Sequence, residues 1–222
     1  MRHRHRAQTA RPHHRAVRRR RRDDHQEPPV NGRHAAAEQS AVIALGSNLP
    51  MDAEGIHHGR ESLLRDAVRA IDALDGVRVT AASGIVETPA LKLHGVDEDA
   101  PSYLNAVVLA DTTLDPEDLL QQLHGIEASL GRVREEVWGD RTIDLDLIDV
   151  GGITRHNDTI TLPHPRAWQR AFVLEPWSQV QPDAVLPGHG PIAALLAATT
   201  DRVTTYPAEP LIDAGPPLSA EQ

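Results

Sequence analysis

The sequence RTIDLDLIDV, residues 141–150, alternates between apolar and acidic side chains, as a half-buried β-strand does. Its apolar positions are Ile143, Leu145 and Leu147, and its acidic positions are Asp144 and Asp146. Strands disfavour Asp, so two carboxylates on one face require a reason. They would lie about 6.5–7 Å apart at Cα and repel each other unless a cation lies between them. Mg²⁺ suits such a pair, because it is often held by one or two carboxylates plus water and phosphate oxygens. The alternative is a solvent-facing strand whose two acids bind nothing.

This strand is the sixth element that the sequence predicts from residue 41 onward. The predicted strands cover residues 41–46, 77–88, 103–113 and 141–150, and the predicted helices cover residues 63–74 and 115–130. The order β-α-β-β-α-β predicts an α+β fold, specifically a ferredoxin-like sandwich with an antiparallel sheet and two helices on one face. A C-terminal extension with two short helices follows.

Charge divides the chain into unlike parts. Residues 1–22 contain ten arginines and no acid, whereas the rest of the chain has 13 basic and 32 acidic residues. We expect residues 1–40 to be a disordered Arg/His-rich extension, residues 41–205 to form the domain, and residues 206–222 to be a loose Pro-rich tail. An acidic body disfavours nucleic-acid binding by the folded domain, although the basic run could bind phosphates.

Several classes of site are excluded by residues that the chain lacks. The absence of cysteine excludes disulfides, zinc–thiolate sites and thiol nucleophiles. Lys92 is the only lysine, and it does not lie in a phosphate-binding P-loop signature. No apolar run approaches the roughly 18 residues of a membrane span, and the basic N-terminus has no apolar segment of a secretory signal after it. The expected location is cytoplasmic, without a membrane partner.

Arginines flank the acidic strand. Arg132, Arg134 and Arg141 precede it, and arginine binds phosphate through two parallel hydrogen bonds. Acids for Mg²⁺ beside arginines for phosphate are what phosphoryl transfer requires. The alternative is that these arginines only pair with acids of the same loop.

Other side chains suit a flat heterocyclic ligand. Tyr103 and Asn105 face the same way on a predicted strand, and an amide offers both donors and an acceptor. Trp138 and Phe172 could stack on a ring, or could simply pack in the core. His164 could meet phosphate, or could only cap a turn.

Four motifs in this order, ALGSNL, SYLNAVV, GRVR…WGDRTIDLDLI and LPHPR…RAFVLEP, give the chain a family resemblance over roughly residues 41–187. Through these motifs, the chain resembles the 6-hydroxymethyl-7,8-dihydropterin pyrophosphokinases of folate biosynthesis. The resemblance implies an ATP-dependent diphosphokinase: diphosphate passes from ATP to the hydroxymethyl oxygen of the pterin, and AMP is the other product. It also implies ATP as co-substrate and two Mg²⁺ ions.

The same resemblance implies roles for individual residues. Asp144 and Asp146 would hold the two Mg²⁺ ions, and Arg132 and Arg141 would engage the phosphates, which makes these four the expected catalytic residues. The expected ATP-binding residues are Glu127, Arg134, Thr161, His164 and Arg170. The expected pterin-binding residues are Thr88, Pro89, Tyr103, Asn105, Trp138 and Phe172.

Two alternatives belong to other classes. A ferredoxin-like module could bind nucleic acid through its Arg-rich arm, or a nucleotidyl or glycosyl transferase could use the same pair of acids. For the resembled family we expect a monomer or weak dimer, association with neighbouring folate-pathway enzymes, and no nucleic acid on the folded domain.

Overall fold

The computed structural model describes residues 37–53, 55–92, 95–97, 101–132, 141–201 and 203–212. Arg134 and Trp138 lie outside these residues, as do most of the predicted N-terminal extension and the end of the predicted tail.

Fourteen strands and four α-helices are present in the described part of the chain. The strands are β1 (Gln39–Ser47), β2 (Met51–Ala53), β3 (Ile56–His58), β4 (Val77–Ala82), β5 (Val86–Thr88), β6 (Ala90–Lys92), β7 (Gly95–Asp97), β8 (Tyr103–Thr112), β9 (Asp144–Val150), β10 (Arg155–His156), β11 (Thr161–Leu162), β12 (Val185–Leu186), β13 (Gly190–Pro191) and β14 (Thr204–Thr205). The helices are α1 (Arg60–Asp72), α2 (Pro116–Ser129), α3 (Ala171–Val180) and α4 (Ile192–Ala198), with a 3₁₀ turn at Ala167–Gln169.

The main sheet is antiparallel and has the strand order β14-β5-β8-β1-β9, with β4 also paired to β8. The sequence of β1, α1, β4, β8, α2 and β9 is the predicted β-α-β-β-α-β order, so the predicted fold is confirmed. The strand predicted over residues 77–88 is divided in two, because the chain leaves the sheet at Ser83–Ile85 before β5 rejoins β8.

Both faces of the sheet are buried, which explains the continuous apolar run of β1. Alternate residues of β1 enter two cores: Ala41, Ile43 and Leu45 face α1 and α2, whereas Val42 and Ala44 face α3. Trp177 of α3 is 2 % exposed and lies in this second core. The C-terminal extension therefore supplies the layer that covers the second face.

The segment after α4 also packs against the domain. Its strand β14 extends the main sheet beside β5, and Leu211 is buried in the first core. Arg65 of α1 donates hydrogen bonds to the carbonyl oxygens of Glu209 and Pro210, both at 2.6 Å. The predicted domain boundaries at residues 40 and 205 stay predictions. Among the described residues, none of the helices combines the length and the hydrophobicity that a membrane span requires.

Asp149, near the end of β9, is a buried acid with an unfavourable environment. One carboxylate oxygen accepts a hydrogen bond from the Gly152 N–H group at 3.0 Å, and the other, Oδ1, has no partner among the described residues. Burial raises the pKa of this carboxyl group, and the bond from Gly152 opposes that rise only partly. Ionisation of Asp149 is therefore less favourable in the folded than in the unfolded chain.

We expect Asp149→Asn to raise the melting temperature at pH 7 to 8 by a few degrees. A raised folded-state pKa favours folding at acidic pH, and this contribution is lost as the pH rises through that pKa. The amide keeps an acceptor for Gly152 and carries no charge, so its advantage should shrink toward pH 4. Thermal melts from pH 4 to 8 measure this, with Asp158→Asn as an exposed control. An equal or lower melting temperature at pH 8 would contradict the expectation.

Candidate active site

The candidate site lies on the second face of the sheet, where β1, β8 and β9 are neighbours. Gly46 of β1 pairs with Asn105 of β8 on one side and with Asp144 of β9 on the other. A Cβ atom at position 46 would lie 3.2 Å from Asn105 Oδ1 and 3.9 Å from Asp144 Cβ. A side chain at this position would therefore crowd Asn105, and glycine keeps the way between the amide and the carboxylate clear of one.

Asp144 is held between two guanidinium groups. Arg132 donates to its Oδ1 atom at 2.5 Å and Arg141 donates to its Oδ2 atom at 2.6 Å. Burial lowers the pKa of Arg141, but the charge and hydrogen bond of Asp144 together with the charges of Tyr103 and Asp146 outweigh it, and the net shift is upward. Arg141 is thus a permanent positive charge beside a carboxylate that is 24 % exposed.

Asp146 lies two residues further along the same face and, within the described part of the chain, has only longer contacts. Its Oδ2 atom is 3.5 Å from an Arg170 guanidinium nitrogen and 3.9 Å from His164 Nε2. Burial, and then the negative charge of Asp144, raise the pKa of this carboxyl group, although its side chain is still 35 % exposed. The two acids therefore repel each other, and a bound cation would relieve that repulsion.

His164 is oriented by the backbone on both sides. Its backbone N–H group donates to the Ile148 carbonyl at 2.8 Å. Its ring Nδ1 atom accepts from the backbone N–H group of Arg166 at 3.2 Å. A neutral ring that accepts at Nδ1 carries its proton on Nε2, the nitrogen nearest Asp146. Burial lowers the pKa of this imidazole, opposed by the charge of Asp146.

Glu127 of α2 has protein partners for its buried carboxylate. It accepts a hydrogen bond from the Leu145 N–H group at 2.8 Å and another from Arg132. Its side chain is 2 % exposed. It therefore joins α2 to the start of β9 and aims Arg132 at Asp144, while the predicted contact of Glu127 with ATP stays a prediction.

The expected pterin-binding residues lie on adjacent strands. Asn105 Nδ2 donates to Thr88 Oγ1 at 3.0 Å, and Thr88 pairs with Tyr103 across β5 and β8. Pro89 follows Thr88 at the end of β5 and is exposed. The structure thus brings four of the six expected residues together.

The remaining expected residues divide into three groups. Phe172, in α3, lies under the Arg170 guanidinium, 5.4 Å from ring centre to Cζ, and packs against the second core, which includes Val107 of β8. Thr161, on β11, is hydrogen-bonded to His156 at 2.9 Å. Arg134 and Trp138 lie outside the described residues, and their predicted roles stay predictions.

One buried residue near the site was not predicted. Asn48 follows β1, is 0 % exposed, and bonds to the backbone of both Arg141 and Pro101. The signal in the sequence is a polar SN pair directly after an apolar strand, where a turn on the surface would be the usual interpretation.

Comparison with known proteins settles the family. The model of the family described as 7,8-dihydro-6-hydroxymethylpterin-pyrophosphokinase matches residues 42–182. The chain belongs to this family. The predicted resemblance is confirmed, and so is the enzyme class: the chain is a pyrophosphokinase that acts on hydroxymethyldihydropterin in folate biosynthesis.

Similar curated proteins carry the name 2-amino-4-hydroxy-6-hydroxymethyldihydropteridine pyrophosphokinase. The protein of Methylorubrum extorquens is 39 % identical over 67 % of this chain and 86 % of its own length. That of Haemophilus influenzae is 35 % identical over 73 % of this chain and 94 % of its own length. That of Synechocystis sp. is 32 % identical over 82 % of this chain and 87 % of its own length.

Solved structures agree on the fold. The wild-type HPPK-DHPS protein of Plasmodium falciparum with pteroate has a TM-score of 0.53 and 13 % sequence identity to this pyrophosphokinase. The match covers 72 % of this chain but only 42 % of the longer Plasmodium chain, so it concerns the fold of one part of that protein.

The acids of this pyrophosphokinase can hold a metal only with help from other ligands. Among the residues that the structure describes, no three His, Asp or Glu side chains form a group that could hold an ion by themselves. Two carboxylates on one strand face fit an ion that takes its other ligands from water and phosphate, as Mg²⁺ does.

Proposed function

We propose that this chain transfers the diphosphate of ATP to 6-hydroxymethyl-7,8-dihydropterin at the site around Asp144 and Asp146. The hydroxymethyl oxygen forms a bond to the β-phosphorus as the bond from that phosphorus to the α,β-bridging oxygen breaks. The hydroxyl proton is released, AMP leaves with the bridging oxygen, and the pterin diphosphate continues toward tetrahydrofolate. The observation that carries this proposal is the row of Asp144, Gly46 and Asn105 across three adjacent strands.

The proposed positions of the two substrates follow from the chemistry of the side chains along that row. Asn105, Thr88, Tyr103 and Pro89 would bind the pterin at the β8 side, where an amide can pair with the edge of a heterocycle. The acids at the β9 side would hold two Mg²⁺ ions, which would lower the pKa of the hydroxyl group and neutralise phosphate charge. Gly46 would leave the hydroxymethyl arm room between the two.

The arginines are proposed to exchange one partner for another. Arg132 and Arg141 both pair with Asp144, so they already lie beside the proposed phosphate position. Phosphate oxygens can take over these hydrogen bonds, because guanidinium groups bind phosphate and carboxylate with the same geometry. Holding the phosphates in this way supplies positioning, which is most of what phosphoryl transfer requires.

The remaining contacts are proposed for ATP and for stacking. Arg170, through its guanidinium, and His164, through the proton on Nε2, would bind phosphate oxygens near Asp146. The other proposed ATP contacts are Glu127, Arg134 and Thr161, and Trp138 and Phe172 are proposed to stack on the pterin ring.

Some proposals concern the whole protein. We propose a cytoplasmic enzyme that is a monomer or weak dimer, that associates with neighbouring folate-pathway enzymes, and whose folded domain binds no nucleic acid.

Product analysis tests the proposed reaction. We expect the purified chain, given ATP and MgCl₂, to form AMP only when the hydroxymethyl dihydropterin is present, in equal amounts with the pterin diphosphate. Chromatography of the nucleotides measures this, and EDTA should abolish AMP formation. Formation of ADP would mean transfer of one phosphoryl group, and release of pyrophosphate would indicate a nucleotidyl transferase; either result would overturn the proposal.

A further inference from the structure

Asn48 links the end of β1 to two distant parts of the chain, at Pro101 and at Arg141. Its Oδ1 atom accepts a hydrogen bond from the Arg141 N–H group at 2.8 Å, and its Nδ2 atom donates to the Pro101 carbonyl at 3.4 Å. The N–H groups of Asn48 and Leu49 both donate to the Arg141 carbonyl at 3.2 Å. Three bonds therefore hold the peptide groups of Arg141 from the end of β1.

We propose that Asn48 is a positioning residue, which places the Arg141 guanidinium against Asp144 and against the phosphates that replace it. The proposal rests on the proposed function, because it assigns a role to Arg141 in that reaction. Asn48 itself does not need to touch substrate.

Burial makes the contact specific. Asn48 is 0 % exposed, so an amide that lost either partner could not turn to bulk water instead. A buried polar group without a partner is costly, which keeps the side chain in this one orientation. The backbone of Arg141 is then fixed three residues before Asp144, and the bond between the two side chains spans only 2.6 Å. Small displacements of a positioned phosphate-binding group lower the rate steeply.

A pure packing role predicts something different from a positioning role. If Asn48 only stabilises the fold, its removal should lower the rate by the same factor whether or not the Arg141 side chain is present, since the backbone N–H group remains in Arg141→Ala. If Asn48 acts through the guanidinium, its removal should have almost no effect once that side chain is gone. A double-mutant cycle separates these two cases.

The test measures kcat for AMP formation in wild type, Asn48→Ala, Arg141→Ala and the double variant, with the full chain and saturating substrates. We expect Asn48→Ala to lower kcat about 10- to 100-fold in the wild-type background and less than about twofold in the Arg141→Ala background. Ser47→Ala is the matched control, since Ser47 is the adjacent residue, is also 0 % exposed, and its Oγ atom has no partner among the described residues. It should leave kcat unchanged.

A second variant keeps the test decisive if Asn48→Ala does not fold. Asn48→Asp retains an acceptor for the Arg141 N–H group but loses the donor to Pro101, so it should lower kcat less than Asn48→Ala and should show the same loss of effect in the Arg141→Ala background. Equal factors in both backgrounds, or no loss with Asn48→Ala, would overturn the positioning role. Absence of AMP from the wild type would instead overturn the proposed function, so the two failures are distinguishable.

Discussion

Asp146→Asn is expected to lower kcat for AMP formation by a factor on the order of 10²–10³, the size of effect that follows the loss of one electrostatic contact to a transition state. The substitution keeps the shape of the side chain and removes its charge. Among the described residues, no donor makes a short hydrogen bond to Asp146, and an Arg170 nitrogen lies 3.5 Å from its carboxylate. Its charge is therefore available to a metal ion rather than committed to the fold.

The same substitution should not destabilise the protein. Burial and the neighbouring charge of Asp144 raise the pKa of Asp146, so ionisation of this acid is less favourable in the folded than in the unfolded chain. We expect the melting temperature of Asp146→Asn to equal or exceed that of the wild type, as is common where an active site holds strained or repelling groups. Loss of activity together with retained stability is the combined result to measure, by product chromatography and thermal melts.

An exposed acid, Asp75, provides the matched control for this expectation. Asp75→Asn removes an exposed charge from the turn after α1 and should change neither quantity. If Asp146→Asn kept turnover within a factor of two, the proposed metal role of Asp146 would be wrong. If activity and the melting temperature both fell, Asp146 would be part of the fold rather than of the chemistry.

The parts of this molecule that were predictable from sequence are those with a local period. The alternation in RTIDLDLIDV places Asp144 and Asp146 on one face, and the structure confirms that arrangement because β9 is regular at that point. Helical spacing located α1 and α2 for the same reason. The second buried face was less visible, because a run such as AVIALG does not say which later segment covers it.

The sequence pattern does not predict long-range contacts. Asn48 and Arg141 are 93 residues apart, and Glu127 meets the Leu145 N–H group across 18 residues. Such contacts depend on how α2 and the end of β1 pack, which no local period encodes. The sequence therefore predicted residues for the chemistry but not how some of them are held in place.

Glu127→Ala is expected to have the largest effect on stability. Glu127 is 1 % exposed and satisfies two donors, the Leu145 N–H group and the Arg132 guanidinium. Its removal leaves a buried N–H group without an acceptor and takes one of two carboxylates away from a guanidinium that is 14 % exposed. Breaking a buried ion pair in this way costs about 3 kcal/mol, which lowers the melting temperature of a domain of this size by about 6–12 °C.

Glu127→Gln separates the contribution of the hydrogen bond from Leu145 from that of the ion pair with Arg132. The amide oxygen can still accept from Leu145, so the start of β9 stays bonded to α2, while the charge facing Arg132 is gone. We expect roughly half the loss of stability and a fall in kcat of about tenfold, because Arg132 then loses the carboxylate of α2 that orients it toward the phosphates. Gln122→Ala, an exposed change on the same helix, is the control for α2 itself and should alter neither stability nor rate. If Glu127→Ala melted like the wild type, the carboxylate would not join α2 to β9. If Glu127→Gln raised the KM for ATP and left kcat and stability unchanged, the direct ATP contact would be favoured over the positioning of Arg132.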